Sequence, residues 1–119
     1  NPKIPANIEQ LFTPSETRPN YIFQTFLYAS IMCRQQTLKV APALLYIHRA
    51  ASDSYSPVIE MGEPRQPKIP VNNFTFFEDE FRKRLQTLLE EIFSENEPFT
   101  QTEDIKKCSY CDFKAICKR

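Results

Sequence analysis

Hydrophobic and polar positions divide this chain into stretches of different character. Over 1–20, short apolar clusters alternate with Pro2, Pro5, Pro14 and Pro19, which predicts an irregular lead-in holding at most a turn or two of helix. Ile8, Leu11 and Phe12 have helical spacing and would dock one such turn. Thr13-Pro14-Ser15-Glu16 has the form of a capping box with proline at the first helical position, but Pro19 limits any helix begun there, so the stretch reads as a turn. A first real helix follows over 19–36. Between Tyr21 and Cys33 its only polar residues are Gln24, Thr25 and Ser30, and a helix apolar all round is expected to be buried all round.

Pro42-Ala43-Leu44-Leu45-Tyr46-Ile47-His48 is a continuous apolar run bounded by proline and a polar loop, which suits an interior strand ending at His48. Residues 50–56 form a loop of small polar side chains, and 57–61 fits a further short strand. The stretch 62–70 carries Pro64, Pro67 and Pro70. It is too proline-dense for an inner strand and reads as a surface loop. A last short strand is predicted over 71–76.

Phe77, Phe81, Leu85, Leu88, Leu89, Ile92 and Phe93 then recur at helical spacing, the most regular pattern in the chain. Glu78, Asp79 and Glu80 fall in the first turn of that helix, where the dipole favours negative charge, and Asn96 with Pro98 marks its end. Arg82, Lys83 and Arg84 read as a solvated face rather than a phosphate-binding patch. The sum is an α/β arrangement in which one buried helix and one long amphipathic helix pack with a few short strands.

Composition narrows this picture. A chain of 119 residues supports one core, burying about two-thirds of the surface its unfolded form exposes. It divides into the lead-in 1–20, a helix and strand body 21–97 and a tail 98–119. With 15 basic and 15 acidic residues no global field advertises a nucleic-acid partner, although a local groove can be basic in a neutral chain. No apolar run approaches the roughly 20 residues of a membrane span and no signal peptide is visible, so the expectation is a soluble, cytoplasmic protein. One glycine against ten prolines is unusual for a complete enzyme. Together with the absence of an initiator methionine, it leads to the expectation of a fragment.

The candidate chemistry lies in two places. Gln24 and Tyr28 stand four apart, so an amide and a phenol share one helix face. The plain structural reading is that the amide satisfies nearby backbone and the tyrosine is core. At the other end, Cys108, Cys111 and Cys117 are spaced C-x2-C-x5-C. The short gap lets two thiolates converge from a tight turn, and the longer one lets a helical turn, anchored by burial of Phe113 and Ile116, return the third. Free thiols or disulfides are the plain alternatives.

A zinc site or a cubane cluster normally takes four ligands, so one is missing. Within the chain only Cys33, which reads as a buried thiol, and His48, which reads as a strand end, could supply it. The fourth ligand is therefore expected outside this chain.

The Gln24-x-x-x-Tyr28 helix followed by the terminal C-x2-C-x5-C resembles the C-terminal half of a RecB-type nuclease domain of the PD-(D/E)XK superfamily. The iron–sulfur branch that includes the AddB subunit of bacterial helicase-nucleases is the nearest likeness. The resemblance implies a restriction-endonuclease-like fold and Mg²⁺-dependent hydrolysis of DNA, exonuclease in type, in repair and recombination, with a helicase subunit or fused helicase domain as partner. It places Gln24 and Tyr28 as accessory residues of the active site. Cys108, Cys111 and Cys117 become ligands of a four-iron, four-sulfur cluster whose fourth cysteine lies upstream.

The family's metal-binding Asp and (D/E)-x-K pair precede the Gln-x-x-x-Tyr helix, and residues 1–20 do not supply them. Asp104-Ile105-Lys106 and Asp112-Phe113-Lys114 match D-x-K only formally, beside the cysteines rather than on a strand. The expectation is thus a domain cut just after its catalytic strands and inactive alone. The rival reading is a non-catalytic zinc-binding interaction module on Cys108, Cys111, Cys117 and His48. A third treats the chain as a scaffold with incidental thiols.

Overall fold

The computed structural model describes residues 4–15, 18–35 and 39–118; Pro2, Glu16 and Gln36 of the sequence reading lie outside them. Three helices form the centre: α1 (Glu9–Phe12), α2 (Asn20–Gln35) and α3 (Thr75–Ile92), each packed on the other two. Between α2 and α3 come a 3₁₀ turn (Ile47–Arg49) and the two short strands β1 (Glu60–Met61) and β2 (Ile69–Pro70). A five-residue helix, α4 (Ile105–Ser109), closes the order. The strands pair antiparallel, Glu60 opposite Pro70 and Met61 opposite Ile69.

The lead-in behaves as its pattern predicts. Asn7 Oδ1 accepts the Gln10 N–H at 3.1 Å while Gln10 Oε1 accepts the Ala6 N–H at 2.8 Å, a reciprocal arrangement of the capping-box kind that starts α1. The turn buries Ile8 and Leu11 and sets Phe12 against the core. Thr13 stops it in extended backbone, its hydroxyl turned back to Glu9 O at 3.1 Å.

Helix α2 lies where expected, with Pro19 immediately before it and the Pro19 carbonyl accepting from Ile22 N at 3.0 Å and Phe23 N at 3.1 Å. Its burial differs from expectation. Ile22, Phe26, Ala29 and Ser30 are buried, whereas Tyr21, Tyr28, Ile31 and Met32 face solvent. The reason is supply of neighbours: α1 and α3 press on α2 from one side, and no other described element packs on it.

Two expected strands are absent. The run 42–48 pairs at one position only, Ala43 with Val58, and His48 sits in the 3₁₀ turn. A side chain takes the place of the ladder: Tyr55 Oη accepts the Tyr46 N–H at 2.7 Å and donates to Leu44 O at 2.7 Å. It thereby occupies backbone groups that a partner strand would need. The predicted strand over 71–76 is replaced by a turn into helix. Val71 N still bonds Ile59 O at 2.8 Å, but Asn73 Oδ1 then accepts from both Thr75 N at 3.2 Å and Thr75 Oγ1 at 2.7 Å, so α3 begins at Thr75.

Helix α3 buries Phe81 fully and Phe77 and Leu85 in part. Leu89, Ile92 and Phe93, the far end of the predicted stripe, are exposed, because α1, at four residues, is too short to cover them. The helix ends at Ile92, short of Asn96 and Pro98. Only Glu78 of the three acids lies in the first turn. Asp79 and Glu80 instead hold the basic face: Arg82 pairs Asp79 at 2.6 Å and Glu78 at 3.6 Å, and Arg84 pairs Glu80 at 3.1 Å and Glu9 at 3.6 Å. This is the solvated face the sequence predicts, and such exposed pairs add little stability.

Candidate functional site

Successive residues on a helix are turned about 100°, which puts Tyr21, Gln24, Tyr28, Ile31 and Met32 in one band along α2, opposite Ile22, Phe26 and Ala29. That band is the exposed one. Within it Gln24 Nε2 donates to Tyr28 Oη at 3.1 Å, so the two residues singled out by spacing are brought together. The core reading of Tyr28 is corrected, since more than half of its surface, 57%, is open. The amide is satisfied by the phenol rather than by backbone.

The bond has a direction with chemical consequences. Because Tyr28 accepts from Gln24, its own O–H remains to donate outward, and Gln24 keeps its carbonyl oxygen and a second N–H. The pair therefore presents two donors and an acceptor on a rigid helix. A phosphate oxygen or a water molecule could be held by such a set.

Cys33, Cys108, Cys111 and Cys117 are all free thiols, with Cys111 exposed and the others half-buried. The C-x2-C turn does form, with Cys111 N bonding Cys108 O at 3.1 Å. After it, Cys117 N bonds Phe113 O at 3.3 Å and Gln101 Nε2 bonds Cys117 O at 3.2 Å.

Phe113 and Ile116 do not anchor this turn, being 67% and 79% exposed. Phe99 and Ile105 are exposed too, and α4 packs on none of the other helices or strands. The tail carries its apolar residues outward because no described surface faces it. Among the described residues, no three His, Cys, Asp or Glu side chains are gathered closely enough to hold a metal ion.

His48 is exposed, its ring 6.1 Å from that of Tyr46. Asp104 stands at the start of α4 and pairs with Lys107 at 3.5 Å, while Asp112 is exposed in the turns after α4. Neither formal D-x-K stretch lies on a strand. Burial, and secondarily the Glu78 carboxylate, push the Cys33 thiol pKa up.

One feature escaped the sequence reading. The 44–60 stretch folds around a cleft of about 330 Å³ whose lining includes Tyr46, Arg49, Ser52, Ser54, Tyr55 and Ile22 of α2. Its signal in the sequence was the alternation Ser52-Asp53-Ser54-Tyr55-Ser56, read as loop composition rather than as a wall of hydroxyls.

With this geometry in place, the comparison with known families is decisive for class. The family model of the PD-(D/E)XK nuclease superfamily matches residues 9–118, and the chain belongs to that superfamily. Its helices and two-stranded sheet are thus those of a restriction-endonuclease-like fold, in a superfamily of metal-dependent nucleases. No curated protein and no solved structure matches the chain. No helix among the described residues is long and apolar enough to cross a membrane.

Proposed function

We propose that the exposed band of α2 is one wall of a DNA-cleaving active site, in a RecB/AddB-like nuclease of the iron–sulfur branch. The supporting observation is the Gln24–Tyr28 bond on an open helix face. In this reading Gln24 orients the attacking water or the scissile phosphate, and Tyr28 donates its O–H to a phosphate oxygen of the strand. Both act as positioning donors, holding a reacting group in line.

By the resemblance, the carboxylates and lysine of the reaction come before the Gln24-x-x-x-Tyr28 helix in chain order. Ile31 and Met32, exposed farther along that band, are the surface against which those segments would pack. Mg²⁺ and the four-iron, four-sulfur cluster belong to this reading through the resemblance, as do exonuclease action, association with a helicase, a role in DNA repair and a cytoplasmic location. Cys108, Cys111 and Cys117 would converge only on binding, since metal association and local folding are coupled.

The test is kinetic. In the cleavage-competent protein, Gln24→Ala and Tyr28→Phe should each lower kcat by about 10²-fold and leave the melting temperature nearly unchanged. Equal losses of activity and stability would show that the pair serves packing instead.

A further inference from the structure

The cleft formed by 44–60 is not used by that reading. Its floor includes Ile22 of α2, and its walls carry Tyr46, Tyr55, Arg49 and the hydroxyls of Ser52, Ser54 and Ser56, with Glu60 at one side. Tyr55 is immobilised by its two backbone bonds at 2.7 Å, and Ser52 Oγ lies 3.0 Å from Ser54 Oγ. Burial, and then the neighbouring phenols Tyr55 and Tyr21, push the Tyr46 pKa up, with Arg49 pulling the other way. The cleft therefore presents two phenol rings, hydroxyls and one guanidinium. Arg49 brings to this lining a guanidinium, whose five N–H donors form a fork.

Position matters as much as lining. Ile22 joins the cleft to the first turn of α2, the helix that carries the exposed band. A strand engaged at Gln24 and Tyr28 and running toward the start of α2 would reach the cleft. Aromatic faces with a cation and hydroxyls suit one nucleotide, because every base can stack and every phosphate can accept.

We propose that this cleft is a subsite for one nucleotide of a single DNA strand flanking the cleavage point, its phosphate taken by Arg49 with Ser52 and Ser54 and its base set against Tyr46. The proposal deepens the nuclease reading and rests on it for the direction of the strand.

The test measures binding without metal, so it does not depend on cleavage. Fluorescence anisotropy of a short labelled oligothymidylate is followed in EDTA between about 50 and 200 mM salt. Arg49→Ala should weaken binding by about tenfold and lower the salt slope by about 0.7, the value of one single-strand phosphate contact. Tyr46→Ala should weaken it by about 5- to 100-fold. Ser54→Asp, a surface change compatible with folding, should weaken it at least as much as Arg49→Ala by setting a like charge against the phosphate. Lys83→Ala, on the solvated face of α3, should leave most of the affinity.

The subsite is overturned if the wild-type chain does not bind, if Arg49→Ala, Tyr46→Ala and Ser54→Asp all bind like wild type, or if Lys83→Ala weakens binding as much as Arg49→Ala. It is also overturned if thymidine monophosphate competes as tightly as the strand, since the cleft would then take free nucleotide. Loss of binding in these variants, with Gln24→Ala and Tyr28→Phe fully active, would sink the active-site reading and leave the subsite standing.

Discussion

Phe26 and Phe74 meet edge-on with ring centroids 4.9 Å apart, and both are fully buried. Phe81 lies 6.2 Å from the first and 5.9 Å from the second. Its ring also touches those of Phe12 at 5.3 Å and Phe23 at 5.7 Å. One side chain thus ties α1, α2 and the start of α3 into a single aromatic cluster, each such pair adding about 0.5–1.5 kcal/mol beyond burial.

Phe81→Ala should accordingly cost about 3–5 kcal/mol in urea unfolding. Phe76→Ala, on the same helix but 82% exposed, should stay within about 0.5 kcal/mol. Similar losses for the two would mean that α3 packs by a different face.

Legibility in the sequence followed periodicity. The spacing of Ile8, Leu11 and Phe12 and the repeat through Phe77, Phe81 and Leu85 located α1 and α3, and the proline before Asn20 located α2. What failed were the strands expected over 42–48 and 71–76 and the extent of burial, whereas the strand expected over 57–61 is present as β1. A run such as Leu44-Leu45-Tyr46-Ile47 states that a segment is apolar but not that Tyr55 will take its Tyr46 N–H and Leu44 carbonyl. An apolar helix face, such as that of Tyr28, Ile31 and Met32, states that cover is wanted but not that it is present. The same limit applied to the site: spacing put Gln24 beside Tyr28, while the cleft around Arg49 and Tyr46 depends on how a loop folds back.

Gly62 offers a backbone test. Its φ of 152° is rarely adopted by other residues, and an added Cβ would lie 3.2 Å from Pro67 O and 3.3 Å from Lys68 Cδ. The turn around it is held by Gly62 N to Pro5 O at 3.0 Å and by Lys68 Nζ to Gly62 O at 2.7 Å and to Glu63 O. Gly62→Ala should destabilise the protein by about 1–3 kcal/mol. A neutral result in chemical denaturation would show that this loop relaxes freely.

Cys33 and Glu78 make a chemical prediction. A raised thiol pKa leaves less thiolate at a given pH, so Cys33 should react with iodoacetamide more slowly at pH 8 than the exposed Cys111. Removing the carboxylate lowers the Cys33 pKa toward its ordinary value and raises the thiolate fraction. Glu78→Gln should therefore speed alkylation of Cys33, read by peptide mass spectrometry, with Cys111 as internal reference. An unchanged ratio would remove the electrostatic contribution and leave burial alone.

The tail gives the last prediction. Phe99 and Tyr110 are about nine-tenths exposed, at 90% and 93%, and α4 rests on no other helix or strand, so the segment after α3 contributes little to the cluster around Phe81. Brief chymotrypsin treatment should cut first at Phe99 or Tyr110, ahead of the buried Phe26, Phe74 and Phe81. Deleting 98–119 should change stability by no more than about 0.5 kcal/mol, the range of surface changes, or a few degrees of Tm. A fall of ten degrees or more would place the tail in the core. Ligand binding that depends on folding reverses the first of these results. Iron with sulfide, or zinc, added without oxygen and drawing Cys108, Cys111 and Cys117 onto one centre would order the turns between them and slow the cut at Tyr110. Metal retained on the protein with cleavage at Tyr110 undiminished would show that these cysteines are not gathered by it.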